Sequence, residues 1–318
     1  MDVSEDITYE WPGIAEVFSV GADFFYASCY NNLAMRKSEL TTIEEKAGTN
    51  MAYENPSPKL YDEESSVTIK QEYPTADYKQ MNDMYFAFID VLGFKQTFDE
   101  NRKNTNSEFA SAFKKTFQYF SLLMNSTKFA EAENQWNAGQ TSDSLYFYTD
   151  RIDYLAVFIK IYSHFSLFAM INDVFFRGGI AKGTLFVEKP HQFYGDSVIK
   201  AYLLECSIAR EPRIVLDKST CIDLMNESTM ENFIKPNDPP GRSYVKPFVL
   251  VDNSELQGLT NTDALQLQNI GSVELQTIQE NIQANMERFE FDDKNYRKYA
   301  FLQAEFDKAR NEWQKIDV

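Results

Sequence analysis

Cysteine is scarce in this sequence: Cys29, Cys206 and Cys221 are far apart, form no CxxC pair and are odd in number. This excludes a disulfide scaffold and a thiolate zinc site, and fits a reducing compartment. Positive charge is also short, with 31 Lys and Arg against 48 Asp and Glu and a formal net charge of −17. Such a surface argues against gripping nucleic acid through phosphate neutralisation. It leaves a nucleotide substrate open, because carboxylates hold phosphates through a divalent cation. No apolar run approaches the roughly 20 residues that span a bilayer, and the acidic start MDVSEDITYE lacks the basic opening of a signal peptide. The expectation is a soluble, cytoplasmic protein that engages neither membrane nor nucleic acid. Internal repeats and low-complexity tracts are absent too.

What the chain does have is apolar and aromatic residues, 43% and 15% of the total, enough for a well-filled core in one large domain or two small ones. The central stretch is 84–94, MYFAFIDVLGF. It is too short for a helix of its own and reads as a strand buried on both faces, ended by a turn at Gly93 and Phe94. Its single carboxylate, Asp90, is costly to bury unpaired. It therefore caps the helix after the turn or holds a metal.

Residues 11–46 have loosely helical spacing. Residues 47–80 are polar, carry three prolines and read as a linker with a short strand at 66–69. From 84 the pattern tightens: strand 84–91; helix 106–125 with Phe109, Phe113, Phe117, Phe120 and Met124 on one face; a hairpin of 131–138 and 143–149 joined by AGQTS. An apolar helix over 153–174, a strand over 177–189, a helix over 196–210 and a strand over 212–217 follow, then a strand over 244–252 and helices over 271–290 and 293–315. This divides the chain into a helical leader and linker (1–80), a catalytic-type domain (81–220) and a C-terminal extension (221–318). The element order predicts an α+β fold, a split-βαβ palm of ferredoxin-like type.

In such a sheet the first strand and the hairpin lie side by side, so Asp90 and the Asp143 of TSDSLYFY converge. Two adjacent carboxylates repel and raise one pKa unless a cation sits between them, and two oxygen ligands completed by substrate phosphates is how Mg²⁺ is usually held. On its own, Asp143 is also an ordinary turn residue. His164, inside an apolar helix, reads as a core histidine; His191, just before FYGD, is a loop residue or faces phosphate. Cys206 reads as core, and the aromatic stripe over 109–120 as helix packing.

Taken in order, FIDVLGF, TSDSLYFY, RGGIAKG, YGDSVIKAYLLE and PRIVLD resemble the motifs of class III nucleotide cyclase catalytic domains, over about 84–217. The resemblance implies that Asp90 and Asp143 bind two Mg²⁺ or Mn²⁺ ions. One would activate the ribose 3′-hydroxyl of a nucleoside triphosphate and the other would hold the triphosphate as pyrophosphate leaves. It implies that backbone N–H groups at Val91, Leu92, Gly93 and Phe94 cradle phosphate at a helix N-terminus, and that the site forms between the subunits of a homodimer. The chain departs from the pattern where the family has an Asn and an Arg that stabilise the transition state: here stand Ile199 and Leu203. Lys182 and Lys200, with Arg177 and Arg210, are the candidate replacement cations. The base-selecting positions fall near Asn137 and Gln192, neutral amides that leave the base open, pyrimidines included. The resemblance thus allows a cyclase, by analogy one making an antiviral defence signal. It also allows a catalytically degenerate binding protein of the same fold, or a palm of the CRISPR-polymerase kind that joins nucleotides between molecules.

Overall fold

The structure, a computed structural model, describes residues 79–94, 108–127, 136–189, 192–236, 243–259 and 270–316. The leader and linker expected before residue 79, the strand at 66–69, the hairpin start at 131–135, and His191 lie outside the described residues.

Strand β1 (Lys79–Val91) is the axis of the sheet. Its Phe86, Ala87 and Ile89 are fully buried, as an apolar run with no polar alternation demands. After it come helix α1 (Glu108–Asn125), the hairpin β2 (Trp136–Thr141) and β3 (Ser144–Thr149), helix α2 (Ile152–Ile171) and strand β4 (Phe176–Lys189). These strands lie in the order β2-β3-β1-β4 with β1 antiparallel to both neighbours, which is the expected ferredoxin-like split-βαβ arrangement. Beyond β4 the chain forms β5 (Gln192–Tyr194), α3 (Asp196–Leu203), a π-helical turn (Leu204–Ile208) and β6 (Ile214–Leu216). β5 folds back on β4, and β6 lies parallel to it. Helix α4 (Lys218–Met225), capped by the Asp217 side chain, and strands β7 (Ile234–Lys235) and β8 (Tyr244–Val245) extend the sheet to eight strands among the described residues. Helices α5 (Asn253–Leu259), α6 (Ser272–Arg288) and α7 (Asp293–Ile316) follow.

One face of the sheet is covered by α1 and α2: Tyr85, Ala87 and Ile89 pack with Phe117, Phe120, Phe158 and Phe165. On the other face lies α3, with Tyr202 edge-on to Phe88. A glycine permits that approach. A Cβ on Gly179 would stand 2.3 Å from the backbone carbonyl oxygen of Ala201. Contrary to the expectation that no stretch is long and apolar enough to span a bilayer, helix α2 meets that length and hydropathy, but about 72% of its apolar window is buried within the molecule, as in a core helix. Helices α6 and α7 form a second core with Leu92, Leu167, Met170 and Phe175. Asn281 donates from Nδ2 to the carbonyls of Met170 (2.8 Å) and Ile171 (3.1 Å), satisfying acceptors that the end of α2 leaves open.

Several boundaries differ from expectation. β1 starts at Lys79, beyond a register break between Met81 and Met84 where Asp83 takes φ 57°. The hairpin turn is the residue pair Ser142-Asp143, with Ser142 at φ 56°, so Ala138, Gly139 and Gln140 belong to β2. The helix expected over 196–210 changes winding at Leu204, where the Ala209 N–H donates five residues back to the Leu204 carbonyl at 2.8 Å. That shift of phase buries the adjacent Leu204 and Glu205 and leaves Cys206 exposed rather than in the core. His164 is a core histidine as expected, 2% exposed with Nε2 2.7 Å from the Tyr119 hydroxyl.

Two predictions follow from this packing. Gly179→Ala should cost about 1–3 kcal/mol in urea unfolding, because helix or strand must move. Burial lowers the His164 pKa from 6.5 to about 4, so the fold favours neutral imidazole. Its stabilising term is complete above pH 6.5 and is lost as pH falls toward 4, the loss being roughly 2 kcal/mol at pH 5. Urea midpoints of wild type and His164→Gln from pH 7 to pH 5 should show a flatter pH dependence in the variant.

Candidate active site

The register of β1 against its neighbours assembles the site. Asp90, at the end of the strand, is directly opposite Ser144 on β3 and Arg177 on β4, so the three side chains emerge on one face. Ser144 Oγ donates to Asp90 Oδ1 at 3.1 Å, and Arg177 Nη2 is 3.8 Å from Oδ2. The hairpin turn carries Asp143 to the same place: the Val91 N–H donates to the Asp143 carbonyl at 3.3 Å. The two carboxylates singled out in the sequence thus come from segments 53 positions apart and meet at one end of the sheet.

A third acid, Glu205 from the π-helical turn, lies with them. Its side chain is 4% exposed, with Oε1 2.7 Å from Arg177 Nη2. The contact is short but poorly aligned, and Arg177 Nε is buried without a hydrogen-bond partner among the described residues. Burial, then the charge of Asp143, then that of Glu205 push the Asp90 carboxyl up to about 7 against the opposing pull of Arg177 and Ser144. Burial likewise raises Glu205, with Arg177 acting in the opposite direction. The strand end therefore concentrates more negative charge than one arginine balances.

That imbalance is what a divalent cation relieves, and the donors are hard carboxylate oxygens suited to Mg²⁺ or Mn²⁺. Among the described residues no group of three acids, histidines or cysteines could hold a metal by itself. An ion here would rest on Asp90 and Asp143 and take its other oxygens from substrate and water, the usual mode for Mg²⁺. The residues fit that role.

The other expected site residues are distributed less closely. Of the amides expected to cradle phosphate, that of Val91 is engaged by Asp143 and that of Leu92 by the Phe175 carbonyl at 2.8 Å, because both continue strand pairing into the turn. Gly93, at φ 75°, has no described residue within 4 Å of where its Cβ would stand, and Phe94 packs on Phe113. Asn137, paired with Tyr148, is on the Asp90 face but four residues along, roughly 13 Å away at ~3.3 Å per residue. Gln192 pairs with Lys189 at the opposite end of β4 from Arg177. Lys182 is opposite Tyr85, five residues and roughly 16 Å from the Asp90 row and on the other face. There its Nζ pairs with Asp223 at 2.9 Å. Lys200 is bound to Asp196 at 2.7 Å and to the Lys182 carbonyl at 3.2 Å. Neither lysine is brought to the acids: strand periodicity and local carboxylates claim both. The cation beside Asp90 is Arg177. Glu205 was missed in the sequence although it closes the YGDSVIKAYLLE motif, because only the π turn directs it inward.

No protein-family model and no curated protein matches this chain. Solved structures similar to it include the monomeric guanylyl cyclase domain of the RhoGC fusion protein from the aquatic fungus Blastocladiella emersonii, at 15% identity over 53% of this chain and 96% of that one, TM-score 0.38. A double mutant of that domain matches at 15% identity over 52% and 95%, TM-score 0.37. The catalytic core of a rhodopsin-guanylyl cyclase with converted specificity, in complex with ATPalphaS, matches at 14% over 53% and 98%, TM-score 0.37.

The raised Asp90 pKa has a definite sign. The folded state disfavours the charged carboxylate, so Asp90 costs stability increasingly as pH rises from 3.8 through about 7. Asp90→Asn should melt with the wild type near pH 4 and above it at pH 8 without metal. Mn²⁺ should raise the melting temperature of wild type and not of the variant. A melting temperature for Asp90→Asn equal to or below wild type at pH 8 would contradict this electrostatic account.

Proposed function

We propose that this chain is a nucleotide cyclase, converting a nucleoside triphosphate to a 3′,5′-cyclic monophosphate and pyrophosphate. The observation that carries the proposal is the meeting of Asp90 and Asp143 at one end of a split-βαβ sheet, where burial and the neighbouring acids push the Asp90 carboxyl up to about 7. Two divalent ions, when bound, supply activation of the 3′-hydroxyl and neutralisation of the phosphate chain. The residues of the chain hold and orient. Asp90 and Asp143 present carboxylate oxygens, Ser144 fixes one Asp90 oxygen, and Glu205 tethers the Arg177 guanidinium beside them. Arg177 is then the fixed positive charge closest to the reacting phosphate, in place of a cation on α3. The subunits of a homodimer would complete the site on the open side of the sheet, and a cytoplasmic defence signal is the role suggested by analogy alone.

A second reading, a nucleotide-binding protein without turnover, is favoured by one observation. α3 presents Ile199, 44% exposed, and the half-buried Leu203 where a cyclase of this kind needs polar donors.

The two are separated by incubating purified protein with each of the four ribonucleoside triphosphates and Mn²⁺ and reading products by mass. The expected result is one cyclic monophosphate, with Asp90→Ala and Asp143→Ala each reducing its formation by at least ~10³-fold, as loss of transition-state charge stabilisation does. Metal-dependent nucleotide binding without product selects the second reading. A dinucleotide product overturns both.

A further inference from the structure

The helices α6 and α7 build a surface that the proposed chemistry has not used. Next to the turn after Asp90 is a small cleft, open to solvent, with Gly93 on one side and Asp173, Asn285, Arg288, Asn295 and Lys298 among its polar lining. Asp173 is engaged there by Asn285, whose Nδ2 donates to Oδ1 at 2.7 Å. Lys298 is not matched in this way. It is half-buried, and it donates to Asn295 Oδ1, a neutral acceptor, at 2.7 Å. Among the described residues no carboxylate forms an ion pair with it; the charge of Asp292 acts on it from farther off. Burial first, and then the charges of Arg177 and Lys294, hold its ammonium below the ordinary lysine range. Arg177 is the guanidinium that contacts both Asp90 and Glu205. The cleft and the acid pair are therefore neighbouring parts of one electrostatic field. A cation removed from water and set toward other cations is costly unless an anion arrives to compensate it. Arg288, on the last turn of α6, adds a second donor fork of the geometry that phosphate oxygens accept.

We propose that this cleft is the polyphosphate subsite: Lys298 and Arg288 receive the β- and γ-phosphates of a nucleoside triphosphate, or the pyrophosphate released from it, while the reacting end lies at Asp90 and Asp143. The inference rests on the cyclase reading for the identity of the ligand, and on the cleft itself for its charge. Arg177 on β4 is thereby joined by cations from the C-terminal helices, and no described residue comes within 4 Å of a Cβ placed on Gly93, at the side of the cleft.

The test uses the full chain and inorganic pyrophosphate as probe, by calorimetric titration without metal, alongside steady-state kinetics with the preferred triphosphate and Mn²⁺. Lys298→Gln and Arg288→Gln should each weaken pyrophosphate binding and raise KM about tenfold or more, the worth of one charge-assisted hydrogen bond. Lys298→Arg should retain most of the binding, so that a loss in Lys298→Gln is not misfolding. Asp90→Asn should bind metal-free pyrophosphate at least as well as wild type, because it removes negative charge. Wild type that does not bind pyrophosphate, or glutamine variants that bind it as wild type does, would overturn the subsite. The outcomes separate the two claims. Binding that depends on Lys298 with no cyclic product from any triphosphate keeps the cleft and removes the cyclase. Cyclisation with a KM unchanged in both variants keeps the cyclase and removes the cleft.

Discussion

The main-chain pairing of β1 with β3 on one side and β4 on the other is the constraint from which the other arrangements follow. Side chains alternate across a strand, so this register decides both which residues enter the helix-covered core and which functional groups share the opposite face. Asp90 stands between Ser144 and Arg177 because the pairing puts them in one row. A slip of one residue would turn Asp90 into the phenylalanine-rich core beneath α1 and α2. What opposes the slip is Asp90 itself, whose carboxylate would then be buried unpaired among those aromatic side chains.

The strand register, the hairpin turn and the π turn bring three acids to one end of the sheet. Asp90 and Glu205 share the Arg177 guanidinium, and burial together with the nearby charges of Asp143 and Glu205 raises the Asp90 pKa. A site that lowers the stability of its own fold has the character of a binding centre awaiting its complement. The π turn belongs to the same device, since it turns Glu205 beneath Arg177 and thereby holds the arginine against the strand end. Gly179 lets the helix carrying that turn lie directly on the sheet.

The C-terminal helices are bound to this frame through their shared core with Leu92 and Phe175 and through Asn281 on the last carbonyls of α2. Those contacts place α7 over the turn that follows Asp90, and its half-buried Lys298 within the influence of Arg177. The negative charge of the whole chain and the positive charge of this one wall are compatible, because short-range recognition depends on local potential rather than on net charge.

Local pattern carried the fold and half of the site. The apolar run 84–91, the aromatic stripe of α1 and the alternation of elements gave the split-βαβ order, since burial and strand or helix periods are properties of neighbouring residues. The same logic made Asp90 and Asp143 legible, as carboxylates at strand ends where an apolar core has no use for charge. The roles of the cations were not legible. Lys182 and Lys200 are on plausible segments but are neutralised by Asp223 and Asp196, and those ion pairs depend on which face each side chain takes. One widened helical turn buries Glu205 and exposes Cys206, which was expected in the core, a departure from regular winding that residue spacing does not announce. By itself the sequence determined the elements of the split-βαβ core, their order and the two candidate acids, because these follow from short-range chemistry; it did not show β5, α4, β7 or α5, and the strand expected over 244–252 is only Tyr244–Val245. Only the tertiary structure decided which base accompanies them, which third acid holds it and which distant helix closes the cleft, because electrostatic partnership is set by distance in space between segments far apart in the chain.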